Sequence, residues 1–152
     1  MKTMLMYHRL SWWYWTITVA LLGAGLAGHA GAFTAAIALG AWQCVHFLAR
    51  ERSAAAFPVQ VRLAYLGLLC ASQWPPLAFG YWIWFGGTLA MVLTGYCALA
   101  RTLSLLPWNR RAPLSADLVL RTFAAPPMEG SVLQGLPPRA RAPGEDAGCT
   151  DT

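Results

Sequence analysis

The side chains best able to do chemistry in this chain are three cysteines and a histidine: Cys44, His46, Cys70 and Cys97. Soft thiolates and an imidazole suit Cu(I) or Zn(II). Each thiol lies a short way into an apolar run. At 1.5 Å per helical residue, Cys44 is about 9 Å from Arg50, Cys70 about 12 Å from Arg62 and Cys97 about 6 Å from Arg101. The sequence therefore offers one metal site, built from Cys44, His46, Cys70 and Cys97 in one half of a bilayer. Against it, no CxxC pair is present, and Cys44 and His46 lie roughly 200° apart around a helix. Cysteine in a membrane helix also serves as a small apolar residue. Axial haem ligation by His8 and His46 is the weaker variant, because His8 precedes the first apolar stretch. No cofactor is assigned on these grounds.

Other chemistries leave less trace. The sequence has no paired carboxylates, phosphate-cradling loop or nucleophile beside a base. Ion-coupled transport generally places a charged group inside the membrane, and the long apolar stretches hold none. Their polar side chains include Thr16, Thr18, Gln43, Ser72, Gln73, Thr88 and Thr94. These suit hydrogen bonds between helices, with a narrow passive channel as the alternative. The expectation is a protein that is not an enzyme.

The elements that position these residues follow from the charge pattern. The chain is 57% hydrophobic and 11% charged, and positions 10–49 and 63–100 carry no Asp, Glu, Lys or Arg. Helices in water need a polar face, so hydrocarbon is the solvent these stretches fit. Each is roughly 60 Å long as helix, about twice the ~30 Å thickness of a bilayer core. Each must fold back once. This predicts an all-α integral membrane protein of four spans, near 12–27, 32–49, 59–74 and 81–105, forming two antiparallel hairpins. Gly28-His29-Ala30-Gly31 marks the first turn; for the second, Trp74-Pro75-Pro76, where prolines end a helix, and Phe79-Gly80 compete. The third span is full length only if Arg62 snorkels toward water or the helix continues past the prolines.

Orientation comes from the basic residues, all but one of which are Arg. Neither hairpin turn carries one, whereas the amino terminus, the 50–62 segment and everything after 101 do. The positive-inside rule places both termini in the cytoplasm. Trp12, Trp13, Trp15 and Trp108, with Arg110 and Arg111, then anchor the inner interface, and Trp74, Trp82 and Trp84 the outer one. The Arg, Ala and Gly bias points to a bacterial inner membrane. A cleaved signal peptide over the first 31 residues is the alternative, but the apolar run exceeds the usual ~7–15 residues. The net charge of +5 reads as a lipid-headgroup signal, and no nucleic-acid partner is expected.

Helices in lipid associate through close packing of small residues. Ridges at intervals of four occur at Ala20, Ala24 and Gly28, at Ala36 and Gly40, and at Gly86, Ala90 and Thr94. They pack within the bundle or, if one faces outward, against another subunit. Residues 1–107 thus form the transmembrane domain and 108–129 a juxtamembrane segment. Within that segment Ser115 caps a short helix, with Leu114, Leu118, Val119 and Phe123 as its apolar stripe. Residues 130–152, rich in Pro, Gly and Ala, read as a disordered cytoplasmic tail. The functional expectation is an accessory, assembly or interaction protein whose partners are the bilayer and another membrane protein or a second copy. Metal or haem handling and a small channel are the alternatives.

Overall fold

The computed structural model describes residues 10–29, 31–110 and 112–126. The tail expected at 130–152, the haem-ligand candidate His8, and the basic residues Lys2, Arg9 and Arg111 lie outside the described residues. All described secondary structure is helical: α1 (Leu10–Leu26), α2 (Gly31–Glu51), α3 (Phe57–Ala71), a 3-10 turn (Pro75–Leu77), α4 (Gly80–Thr94), α5 (Ala98–Ser104) and α6 (Ala116–Ala124).

Helices α1 to α4 run up and down as an antiparallel bundle. α1 packs on α2 and α4, and α2 on α3, whereas α3 and α4 touch only lightly. The start of α1 meets the end of α4, where the Trp12 indole donates to the Val92 carbonyl at 3.2 Å. Both hairpin turns therefore lie at one end. The 52–56 loop, α5 and α6 lie at the other.

Local chemistry sets the turns. Gly28, at φ +107°, takes the left-handed conformation that glycine adopts without steric penalty. Its N–H reaches Gly25 O at 3.1 Å, and the His29 N–H reaches Ala24 O at 3.0 Å. These two bonds form the Schellman pattern that satisfies a helix's last carbonyls. Pro58 stands at the start of α3, where its missing N–H has no helical partner to lose. Ser72 ends the same helix, and Pro75 and Pro76 shape the 3-10 turn.

Two expectations about length need correction. The continuous helix expected over 81–105 is two helices that meet at 94°. Gly95, at φ +74°, is the stop: its N–H caps Met91 O at 2.8 Å in the left-handed geometry. The third helix, expected to reach Trp74, ends at Ala71, and Arg62 turns inward and does not reach water. It is 6% exposed. One described helix, Gly31–Glu51, is long and apolar enough to cross a membrane, or two if α4 and α5 count as one broken span. α1 and α3 are shorter apolar helices of 17 and 15 residues.

The core contains Trp15, Leu22, Ala36, Val61, Tyr65, Leu69, Tyr81 and Val92. Trp15 meets Tyr65 edge to face at 5.0 Å, and Phe33 stacks on Tyr81 at 3.9 Å. A Cβ at Gly25 would stand 2.5 Å from the Phe33 ring, so that stack needs a glycine.

Among the small-residue ridges, Ala36 and Gly40 are buried on α2, and a Cβ at Gly40 would lie 3.3 Å from Leu66. Ala24 is half-buried, and Ala20 and Gly28 are exposed. α1 buries Trp15, Thr18, Leu22 and Gly25 instead. On α4 the inner face is Gly80, Tyr81, Thr88 and Val92. Gly86, two positions from Thr88 and so roughly 200° around the helix, faces outward with Ala90 and Thr94.

Candidate functional site

Several polar side chains of the apolar helices are turned inward and paired across helices. Unpaired, each would cost several kcal/mol in a medium without water. The Tyr65 and Thr88 hydroxyls share a hydrogen bond of 2.7 Å between α3 and α4, and Thr88 also donates to Trp84 O at 2.6 Å. The Trp84 indole donates to Ser72 Oγ at 2.8 Å, and the Tyr81 hydroxyl to Leu69 O at 3.3 Å. Between α1 and α2, Gln43 donates to Thr18 Oγ1 at 3.4 Å. The Gln43 Oε1 is buried without a partner.

Two arginines organise the opposite end from the hairpin turns. The Arg62 guanidinium lies over the Phe47 ring, 3.3 Å from its centroid, and donates to Pro58 O and to Ser11 Oγ, each at 2.8 Å. It thereby ties α3 to both α1 and α2. Its Nε is buried with no hydrogen-bond partner. Arg101 is 2% exposed, 4.1 Å from the Tyr96 ring. It donates to the Thr122 carbonyl and, at 3.0 Å, to that of Pro126. The Tyr96 hydroxyl donates to Phe123 O at 2.8 Å. The 94° turn thus presents two side chains that hold the carbonyl end of α6, where cations suit the helix dipole. Among the described residues no carboxylate pairs with Arg62 or Arg101; the ion pairs there are Arg121–Asp117 and Arg50–Glu51.

At the same end, Asn109 and Gln60 face each other amide to amide. Asn109 Nδ2 donates to Gln60 Oε1 at 2.7 Å, and Gln60 Nε2 returns a bond of 3.2 Å. The Trp108 indole joins at 3.1 Å, and Asn109 also reaches Leu103 O at 2.8 Å. The segment after α5 is therefore locked to the start of α3. Below it, α6 begins where expected: Ser115 Oγ accepts the Leu118 N–H at 3.1 Å. Leu118 and Val119 are half-buried and Thr122 buried, while Leu114, Phe123 and Leu120 (70% exposed) face away from the bundle.

The four metal-ligand candidates are not brought together. Cys44 is buried in α2, and His46 sits edge to face with Tyr14 at 5.9 Å. Cys97 caps α5, its Sγ accepting the Ala100 N–H at 3.4 Å. Cys70 is the penultimate residue of α3, exposed, at the hairpin-turn end. Because α3 begins at Phe57, counting depth from Arg62 misplaced Cys70 toward the other end. Among the described residues no group of three His, Cys, Asp or Glu side chains is arranged to hold a metal.

Of the expected anchors, Trp13 and Trp108 are exposed at the arginine end and Trp82 at the turn end. Trp12, Trp84 and Arg110 are half-buried. Trp15 instead enters the core.

A cavity of about 120 Å³ lies where α3 and α4 diverge, lined by residues that include Trp15, Tyr65, Trp84, Thr88, Met91 and Cys97. A wider recess of about 480 Å³ at the turn end is lined in part by Phe33, Gln73, Tyr81 and Trp82. Sequence reasoning missed the roles of Arg62, Arg101, Tyr65 and Asn109. An arginine inside an apolar run, and an Asn directly after Pro107-Trp108, were the available signals. The arrangement locks helices together through paired polar groups and leaves an apolar-lined cavity between them. Comparison with protein-family models, curated proteins and solved structures finds no match to this chain.

Proposed function

We propose that the protein is a multi-pass accessory or assembly protein of the bacterial inner membrane, without catalytic activity, acting through another membrane protein or a second copy of itself. One observation carries the reading: outside its apolar core the bundle exposes large apolar side chains along its helices, while several polar ones are buried. Trp13, Ile17, Trp42, Val45, Leu48, Trp82, Ile83 and Leu93 are exposed along the helices. Thr18, Gln43, Arg62 and Thr88 are buried. Monomers in water rarely leave apolar surface of that extent uncovered. In the most apolar 18-residue window of α2 only 28% of the residues are buried, which does not suit the core helix of a soluble domain.

In this reading α1 and α2 form one hairpin and α3 to α5 the other, with both termini in the cytoplasm beside Arg62 and Arg101. The short α3 and α4 are accommodated by local thinning of the bilayer, at fractions of a kcal/mol per ångström of mismatch. The outward ridge of Gly86, Ala90 and Thr94 offers a close-packing surface to a membrane partner. The metal-handling reading finds no support in the placement of Cys70.

Affinity purification of the full chain from membranes in mild detergent tests the proposal. A stoichiometric membrane partner or a defined oligomer is the expected result. A monomer that co-purifies with nothing, or a protein recovered in the soluble fraction, overturns it.

A further inference from the structure

We propose that the cavity between α3 and α4 is a binding slot for a single hydrocarbon chain of a membrane lipid. The inference rests on the reading that these helices are immersed in a bilayer. Its mouth is on the flank of the bundle: Ile83 and Gly87 line the cavity and are exposed, while Tyr65 and Thr88 line it and are buried. A ligand must therefore enter sideways, at the depth of α4's middle, where lipid tails are the surrounding medium.

The walls decide between water and hydrocarbon. A trapped water needs two to four polar partners. The Tyr65 and Thr88 hydroxyls are already bonded to each other and to Trp84 O, and Cys97 Sγ to the Ala100 N–H. What remains is largely apolar lining, including Trp15, Val61, Trp84, Met91 and Leu99. A void of this kind forfeits dispersion contacts on every wall. Apolar cavities near 150 Å³ stay dry and accept benzene, and the 120 Å³ here suits one unbranched chain segment. Thioether and indole surfaces adapt to such a chain.

Gly87 supplies the perturbation. A Cβ there meets nothing within 4 Å, so Gly87→Leu adds side-chain volume at a residue lining the cavity without a clash at Cβ. The full chain is reconstituted into bilayers doped with a phosphatidylethanolamine carrying a diazirine on one acyl chain, or with a diazirine fatty acid. It is then irradiated and the labelled residues are mapped.

Labelling concentrated at Tyr65, Met91 or Cys97 supports the proposal if Gly87→Leu reduces it about tenfold, corresponding to ~1.4 kcal/mol, while Trp42 and Val45 label equally in both proteins. Gly87→Ala gives a smaller reduction and covers the case in which the larger variant does not fold. Labelling by the phospholipid identifies a phospholipid chain, and labelling by the fatty acid alone identifies a free one. Cavity labelling no denser than that of Trp42 and Val45, or unchanged by both variants, overturns the slot but leaves the membrane reading standing. Absence of label even on Trp42 and Val45 overturns both.

Discussion

Replacing Arg101 with Met keeps most of the side-chain volume and removes the guanidinium that holds the end of α6. Two hydrogen bonds are lost, to Thr122 O and Pro126 O, along with the cation–π contact to Tyr96. Hydrogen bonds from a charged donor contribute about 1.5–3 kcal/mol each. Burial of a charge with no carboxylate beside it offsets part of that. A net loss of about 3 kcal/mol is a fair reckoning, and it falls on one element. α6 has nine residues, too few for an isolated helix to persist in water. Its undocking opens 116–126 and leaves the four-helix bundle intact.

Hydrogen–deuterium exchange reads this directly, because local opening free energies set amide protection. Amides of 119–124 exchange about 100-fold faster in Arg101→Met, and those of α1 and α2 are unchanged. Arg101→Lys recovers little of the protection, since one ammonium cannot reach two carbonyls in the way a planar fork does. Tyr96→Phe, which removes one bond to Phe123 O, accelerates exchange by about fivefold, the equivalent of ~1 kcal/mol. Exchange in 119–124 that changes less than about threefold in Arg101→Met would refute the clamp.

Thr88→Val leaves the Tyr65 hydroxyl without its side-chain partner and destabilises the protein by about 1–3 kcal/mol in detergent melts; adding Tyr65→Phe restores part of the loss, because no orphaned hydroxyl remains. Gly25→Val drives a side chain into the Phe33 ring and costs about 1–3 kcal/mol, whereas Gly86→Val, with open space around it, leaves the melting temperature of the purified monomer nearly unchanged. Arg62→Met changes stability by less than about 1.5 kcal/mol, since an unpaired buried Nε and an uncompensated charge are removed with the two hydrogen bonds, while Arg62→Ala also opens a cavity and costs about 3 kcal/mol or more. Equal destabilisation by the two Arg62 variants in the same melts would contradict that account.

Much of the architecture was legible in one dimension. Two charge-free stretches dictate helices that leave apolar surface outward, and Gly28 and the paired prolines dictate where each stretch folds back. Ser115 announced α6 because an N-cap is a local event between a hydroxyl and an N–H three residues on. The break at Gly95 was legible in principle but was outweighed by the apolar run on either side. A single glycine is read as a stop only when its left-handed φ is known.

What only the tertiary structure decided is which face of each helix turns inward. Small-residue spacing does not fix that face, because bulky side chains with a partner can outcompete it: Thr88 with Tyr65 on α4, Trp15 with Tyr65 on α1. The same holds for the arginines. Their sequence position marks a boundary between apolar and polar segments. Their burial over Phe47 and against the carbonyls of α6 depends on residues 15 or more positions away, brought close only when the helices assemble. Hydrophobic burial is a sum over composition and can be read along the chain, whereas a hydrogen bond requires two particular groups at one distance and angle. That geometry exists only in the folded bundle.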